Sequence, residues 1–252
     1  MADARFVSDY PALLRHNAER HSGARARRRR LGVALPVVAL VVLGGFQVSM
    51  ELGMFAAAIG AAVLLFVSIN AGSSVEPNAL IGVEGEVSVL RELRSLPDEY
   101  VIFNRVQLPD RWLPNGGREL DFIVAGPGGL FVIEVKNIPG IVYVQPGARD
   151  WPVARRAGCG NRPGWNTIVN PVPQVTDQAS ALKRWLLEHG IHCNPRPIVC
   201  FSNRTAGIEN AGAAEVPVVT VDGINEELLA GGDAGQPPGG AIQALARLRP
   251  AA

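Results

Sequence analysis

Asp121 and Glu134-Val135-Lys136 sit on two apolar runs, Leu120 to Ala125 and Leu130 to Val135, joined by Gly126-Pro127-Gly128-Gly129. Gly-Pro-Gly-Gly is turn chemistry, so the segment predicts a β-hairpin. Centring the turn on Pro127-Gly128 places Asp121 opposite Glu134, with Cβ atoms about 5 Å apart, and Lys136 opposite Glu119. Side chains alternate along a strand, so Glu134 and Lys136 share one face. The other face, Leu120, Phe122, Val124, Phe131, Ile133 and Val135, is wholly apolar. Two carboxylates facing each other on hydrophobic strands repel unless positive charge lies between them. A divalent cation fills that role, and Mg²⁺ commonly uses one or two carboxylates with waters and phosphate oxygens. A lysine beside it suits stabilising charge that builds on a phosphate. The same pattern also suits a salt-bridged strand end, with Lys136 pairing Glu119 or Glu134.

The elements that must hold this hairpin follow from periodicity. Ile81 to Leu96 reads as an amphipathic helix with Val83, Val87, Leu90 and Leu93 at helical spacing and Pro97 as its stop. Val101 to Leu108, Glu119 to Ala125 and Leu130 to Val135 read as strands, and Ile141 to Val144 as a fourth. Residues 146–170 lack a period and read as loop. Gln174 to His189 is a second helix with Val175, Leu182, Trp185 and Leu186 on its apolar side. Short strands at Ile198 to Phe201 and Val216 to Val221 follow, then a Gly/Pro-rich stretch and a last helix. Helix, consecutive strands, helix and strand make an α/β fold with a mixed central sheet flanked by helices.

The amino-terminal quarter has a different character. Leu31 to Met50 and Leu52 to Ala71 hold no charged residue, and Glu51 lies between them. About 20 apolar residues cross a bilayer core, so the block predicts a transmembrane helical hairpin, at 31–48 and 53–70. The basic cluster Arg25, Arg27, Arg28, Arg29 and Arg30 precedes it and marks the cytoplasmic side. Two spans return the large domain to that side, which predicts a multi-pass cell-membrane protein with its domain in the cytoplasm. A signal peptide fits less well, because the block is too long and no small-residue cleavage pattern follows. A single span would instead export the domain. The organisation expected is thus a basic segment at 1–30, a transmembrane hairpin within 31–71, a linker at 72–79, a folded domain at 80–225, and a linker with a short helix at 226–252.

Net charge is +1, so affinity for a polyanion requires a local patch. Arg149, Arg155, Arg156 and Arg162, interleaved with Trp151 and Trp165, suit phosphate contact and base stacking. They equally suit a surface loop anchored by two tryptophans. Cys159, Cys193 and Cys200 are odd in number and widely spaced, a poor disulfide framework, and no CxxC or Cys/His cluster suggests zinc, so they read as buried or free thiols in a reducing compartment. His189 and His192 read as helix-end residues.

Taken together, Gly82-Val83-Glu84-Gly85-Glu86, Glu119-Leu120-Asp121, Gly128 to Asn137 with Glu134-Val135-Lys136, Gly140, and Asn170-Pro171-Val172-Pro173-Gln174 resemble, in that order, the nuclease-related (NERD) domain. Its signature is that of the PD-(D/E)XK nuclease superfamily, and the likeness runs from about Ile81 to Leu187. The resemblance implies a restriction-endonuclease-like core and a nuclease acting on DNA or, alternatively, RNA. It implies that Asp121, Glu134 and the Val135 carbonyl hold Mg²⁺ or Mn²⁺, with Glu86 adding a carboxylate. Lys136 would help activate the attacking water, and Gln174 would orient water or phosphate. Glu84 is an alternative to Glu86, otherwise a solvated charge. Gln178, one turn beyond Gln174, shares its face or is a plain polar helix position. Fold similarity does not guarantee turnover, so a silent membrane-tethered nucleic-acid-binding or scaffold module stands beside the nuclease reading.

Overall fold

The computed structural model describes residues 3–5, 36, 38–44, 46–69, 77–110, 116–155, 164–230 and 239–250 of the chain. Two compact units emerge, one of residues 1–9 and 81–252 and the other of residues 10–80.

In the larger unit, strand β1 (Asp3–Arg5) precedes helix α2 (Pro77–Leu93), which belongs to this unit from Ile81 on, and the run β2 (Val101–Pro109), β3 (Gly117–Gly126) and β4 (Gly129–Lys136). Helix α1 (Met50–Ile69) belongs to the other unit. Strands β5 (Ile141–Tyr143), β6 (Asp150–Arg155) and β7 (Gly164–Val169) come next, then α3 (Val172–Glu188), β8 (Arg196–Phe201), β9 (Gly207–Glu209) and β10 (Val218–Thr220). Helices α4 (Ile224–Ala230) and α5 (Gly239–Leu245) and strand β11 (Arg249–Pro250) close the chain. The main sheet runs β1-β2-β3-β4-β8-β10, with β11 also on β2. It is mixed: β2, β3 and β4 are antiparallel neighbours, whereas β4, β8 and β10 are parallel. Parallel strands require a long crossover, and here it contains β5, β6, β7 and α3.

The β3–β4 hairpin has the register expected from its turn. Phe122 pairs with Ile133, Val124 with Phe131, and Gly126 with Gly129 around the two-residue turn Pro127-Gly128. Gly126 is needed at this place, because a Cβ there would fall on the Tyr100 ring. Alternation then sorts the core into two layers. Ile123, Ala125, Leu130, Val132, Val199 and Phe201 pack with Val175, Ala179, Leu182 and Leu186 of α3. The opposite face, Phe122, Val124, Phe131, Ile133, Ile198 and Cys200, is also buried. There α2 approaches closely enough that a Cβ on Gly85 would meet Asn137 and Ser202. Helix α4 is tied to α2 on this side, with Asn225 Nδ2 donating to the Glu92 carbonyl at 2.9 Å.

Two expectations need correction. Residues 146–170 are no plain loop: they carry β6 and β7, which with β5 and β9 form a second mixed sheet, ordered β7-β6-β5-β9. Their pattern is hard to read because Pro152 interrupts β6 and Arg155 ends it, and because most of β7 is exposed, with no apolar alternation. Trp151 and Val153 are the buried partners, and Trp151 Nε1 donates to the Gln145 carbonyl at 3.0 Å. Helix α2 also starts earlier than the apolar spacing suggested, at Pro77, a residue favoured in a first helical turn.

In the smaller unit, residues 38–44 and 46–48 are helical, and α1 (Met50–Ile69) follows after Ser49. The Ser49 hydroxyl accepts the Leu52 N–H at 3.2 Å, capping α1. A Cβ on Gly53 would meet the Phe46 ring and one on Gly60 would meet Val38, so the two arms run antiparallel. Among the described residues no helix is long and apolar enough to cross a membrane. Residues 31–35 and the side chains of 63–69, parts of both expected spans, lie outside the described residues, as does the arginine cluster at 25–30.

Candidate nuclease site

The β3–β4 ladder stops at Phe122–Ile133, one step before the charged residues. At that step Asp121 Oδ2 accepts the Val135 N–H at 2.8 Å, a side chain replacing a ladder bond. Glu134 on β4 is buried, yet both of its oxygens are engaged. Oε1 accepts from Lys136 Nζ at 2.7 Å and from Gln174 Nε2 at 2.8 Å, and Oε2 accepts from Gln178 Nε2 at 2.8 Å. Lys136 Nζ also donates to Gln174 Oε1 at 3.1 Å. Lys136 therefore bridges β4 and α3, and the pairing with Glu119 considered from sequence gives way to Glu134.

Local sequence explains why α3 presents these amides. Asn170 Oδ1 accepts the Val172 N–H at 3.0 Å, and Asn170 Nδ2 donates to the Ala148 carbonyl at 2.9 Å. The start of α3 is thereby fixed to the connection between β5 and β6. Gln174 and Gln178, one turn apart, then point along the same face toward β4. Gln178 is buried and also reaches the Glu119 carbonyl at 3.4 Å. The bland reading of Gln178 as a polar helix position is thus corrected; its spacing from Gln174 was the available signal.

Glu86 enters from α2. The turn Asn137–Gly140 holds that helix: Asn137 Nδ2 donates to the Ile81 carbonyl at 2.6 Å, and Asn203 Nδ2 donates to Asn137 Oδ1 at 2.9 Å. Glu86 is partly buried and its Oε2 has no hydrogen-bond partner. Burial pushes its carboxyl up to about 7; Arg105 opposes the rise, and the charges of Glu119 and Glu134 add to it. Asp121 is likewise held well above the ordinary aspartate range, first by burial, then by Glu134 and Glu86, against the Val135 N–H and Lys136. Three carboxylates thus sense one another across the end of the hairpin. Glu84 is exposed, as a solvated charge would be.

Arg105 was not singled out from sequence, although an Asn-Arg pair inside the apolar run Val101 to Leu108 is an oddity. Its Nε lies 3.0 Å from Glu119 Oε1 and 3.9 Å from Glu86 Oε2. Arg149 and Arg155 are exposed beside and on the second sheet, and Arg156 and Arg162 lie outside the described residues. Trp151 is an anchor, whereas Trp165 is exposed and packs on Tyr143 with ring centroids 5.4 Å apart. His189 accepts its helix-end role, Nδ1 standing 2.8 Å from the Trp185 carbonyl. Among the described residues no three His, Cys, Asp or Glu side chains are grouped closely enough to hold a metal ion.

No match to this chain was found among curated proteins or among solved structures. The family model described as the nuclease-related domain, NERD, matches residues 81–202. That range opens on α2, ends just after β8, and contains Glu86, Asp121, Glu134, Lys136, Gln174 and Gln178. The chain carries a nuclease-related (NERD) domain.

Proposed function

We propose that this protein is a membrane-anchored, divalent-metal-dependent nuclease that hydrolyses nucleic-acid phosphodiesters, with DNA as the expected substrate. The observation that carries the reading is Lys136 bridging Glu134 and Gln174 beside Asp121, inside the matched nuclease-related region. The donor types suit Mg²⁺ or Mn²⁺: Asp121, Glu134, Glu86 and the Val135 carbonyl are hard oxygens, and Glu86 Oε2 lacks any hydrogen-bond donor. Such an ion supplies Lewis-acid stabilisation of charge developing on a phosphate. Lys136 contributes an ammonium with three donors, two of them already directed by Glu134 and Gln174. Its remaining donor is available to a water or a phosphate oxygen. Gln178 fixes the far oxygen of Glu134, so the carboxylate keeps one orientation while its near oxygen exchanges partners. Arg149, Arg155, Arg156 and Arg162 are assigned to contact with the nucleic-acid backbone outside the cleavage point.

A second reading is a silent tethered module that binds nucleic acid or serves as a scaffold. It is favoured by the full engagement of Glu134, whose oxygens both accept hydrogen bonds within the protein. Incubating the purified full-length chain with labelled DNA and RNA, in Mg²⁺, in Mn²⁺ and in chelator, separates the two. Cleavage that requires the divalent ion supports the nuclease; intact substrate in every condition, from a folded protein, supports the silent module.

The antiparallel arms of the smaller unit, with Leu40, Phe46, Met50 and Phe55 exposed, support anchoring through 31–71. The arginines at 25–30 support retention of the larger unit on the cytoplasmic side of the cell membrane. The layout proposed is the basic segment 1–30, two spans within 31–71, a linker at 72–79, a nuclease-like domain at 80–225, and a linker with its short helix at 226–252.

A further inference from the structure

Arg105 has a backbone φ of 49° in the middle of the nine-residue strand β2. This is the left-handed region, which a side chain with a Cβ rarely adopts and which in strands usually signals a bulge. No residue is inserted here. Asn104 pairs with Phe122 and Val106 with Leu120, so the register is the same on both sides, and Arg105 stands across from Asp121. Strain at a ladder position, beside a cluster of carboxylates, calls for a reason that packing does not give.

The side chain supplies one. Its Nε takes Glu119 at 3.0 Å and only approaches Glu86 at 3.9 Å, while Glu86 Oε2 stays without a hydrogen bond. Glu119 is largely exposed, so the shorter bond is the easier to exchange. Among the described residues the group comprises four carboxylates, Glu86, Glu119, Asp121 and Glu134, against two cations, Lys136 and Arg105. Lys136 is already committed to Glu134 and Gln174. A polyanion entering this acidic group needs a cation of its own, and a guanidinium presents a fork that matches two phosphate oxygens.

We propose that Arg105 is the phosphate anchor of the site: in the free protein its guanidinium rests on Glu119, and it transfers to a backbone phosphate of the nucleic acid on binding. This rests on the nuclease-related reading above and adds a residue which that reading does not contain. The left-handed backbone aims the side chain at the site, so glycine, which accepts this conformation without steric strain, separates fold from function.

The test is binding of a fluorescent single-stranded DNA oligonucleotide to the full-length chain, with calcium in place of magnesium, for wild type, Arg105→Gly and Arg105→Lys. Arg105→Gly is expected to melt at or above the wild-type temperature and to bind at least tenfold more weakly. Its log affinity should also fall less steeply with log salt, by about 0.7 for one lost phosphate contact. Arg105→Lys should keep the wild-type salt slope but bind more weakly, because the charge remains and the fork is lost. Wild-type affinity and slope in Arg105→Gly would overturn the anchor while leaving the nuclease reading intact. Should Arg105→Gly fail to fold, unchanged affinity in a folded Arg105→Lys overturns it as well. A wild-type chain that neither binds nor cleaves nucleic acid would remove both together.

Discussion

At the residue scale, Gln178 decides how Glu134 can behave. A buried carboxylate oxygen with one donor loses that donor when the amide is removed, and an unsatisfied buried polar atom costs about 1–3 kcal/mol, more where it carries charge. Gln178→Ala is therefore expected to lower stability by roughly that amount in urea melts. The penalty should largely vanish in a Glu134→Ala background, since the two groups serve each other at 2.8 Å. Additive losses in the double-mutant cycle would show that Gln178 acts through some other neighbour. Gln174, exposed on the outer turn of α3, should cost less stability when truncated.

At the element scale, the connector from β4 to β5 joins the site to the second sheet. Gly140 there has φ of 111°, and a Cβ would strike the Ala154 carbonyl oxygen of β6. Gly140→Ala is expected to destabilise the domain by about 1–3 kcal/mol through backbone strain alone, with the clash adding to it. Gly147, at φ of 68° with open space around it, is the control and should lose less. Equal losses in urea titrations would mean that the close approach to β6 is not felt. The same connector shows what sequence could reveal. The β3–β4 hairpin was legible to the register, because Gly-Pro-Gly-Gly fixes a turn and a period of two fixes the faces. Of sheet two only β5 was legible, as the run Ile141 to Val144; β9 has three residues, and β6 contains Pro152 and ends on Arg155. Asp121, Glu134, Lys136 and Gln174 were legible as a motif, but the contact of Asp121 with a backbone N–H needed the structure. Arg105 was hidden for a related reason: a backbone dihedral leaves no trace in composition.

At the scale of the whole molecule, the proposed function places a hydrolytic domain on a membrane anchor. Membrane fractions of cells producing the full-length chain should retain it through high-salt and alkaline carbonate washes, as spans buried in hydrocarbon do. Release by carbonate would make the association peripheral and remove the two-span proposal. The proposed chemistry rests on Asp121, Glu134 and Lys136, which ion binding and cleavage probe together. Mn²⁺ binding to the full-length chain is titrated calorimetrically for wild type, Asp121→Ala, Glu134→Ala and Lys136→Ala, with DNA cleavage read on the same samples. The carboxylate variants are expected to lose both ion binding and cleavage, whereas Lys136→Ala keeps the ion and loses cleavage by at least about 100-fold, the usual effect of removing one such group. A folded wild-type chain that binds no ion, or cleavage that survives loss of both carboxylates, would contradict this chemistry.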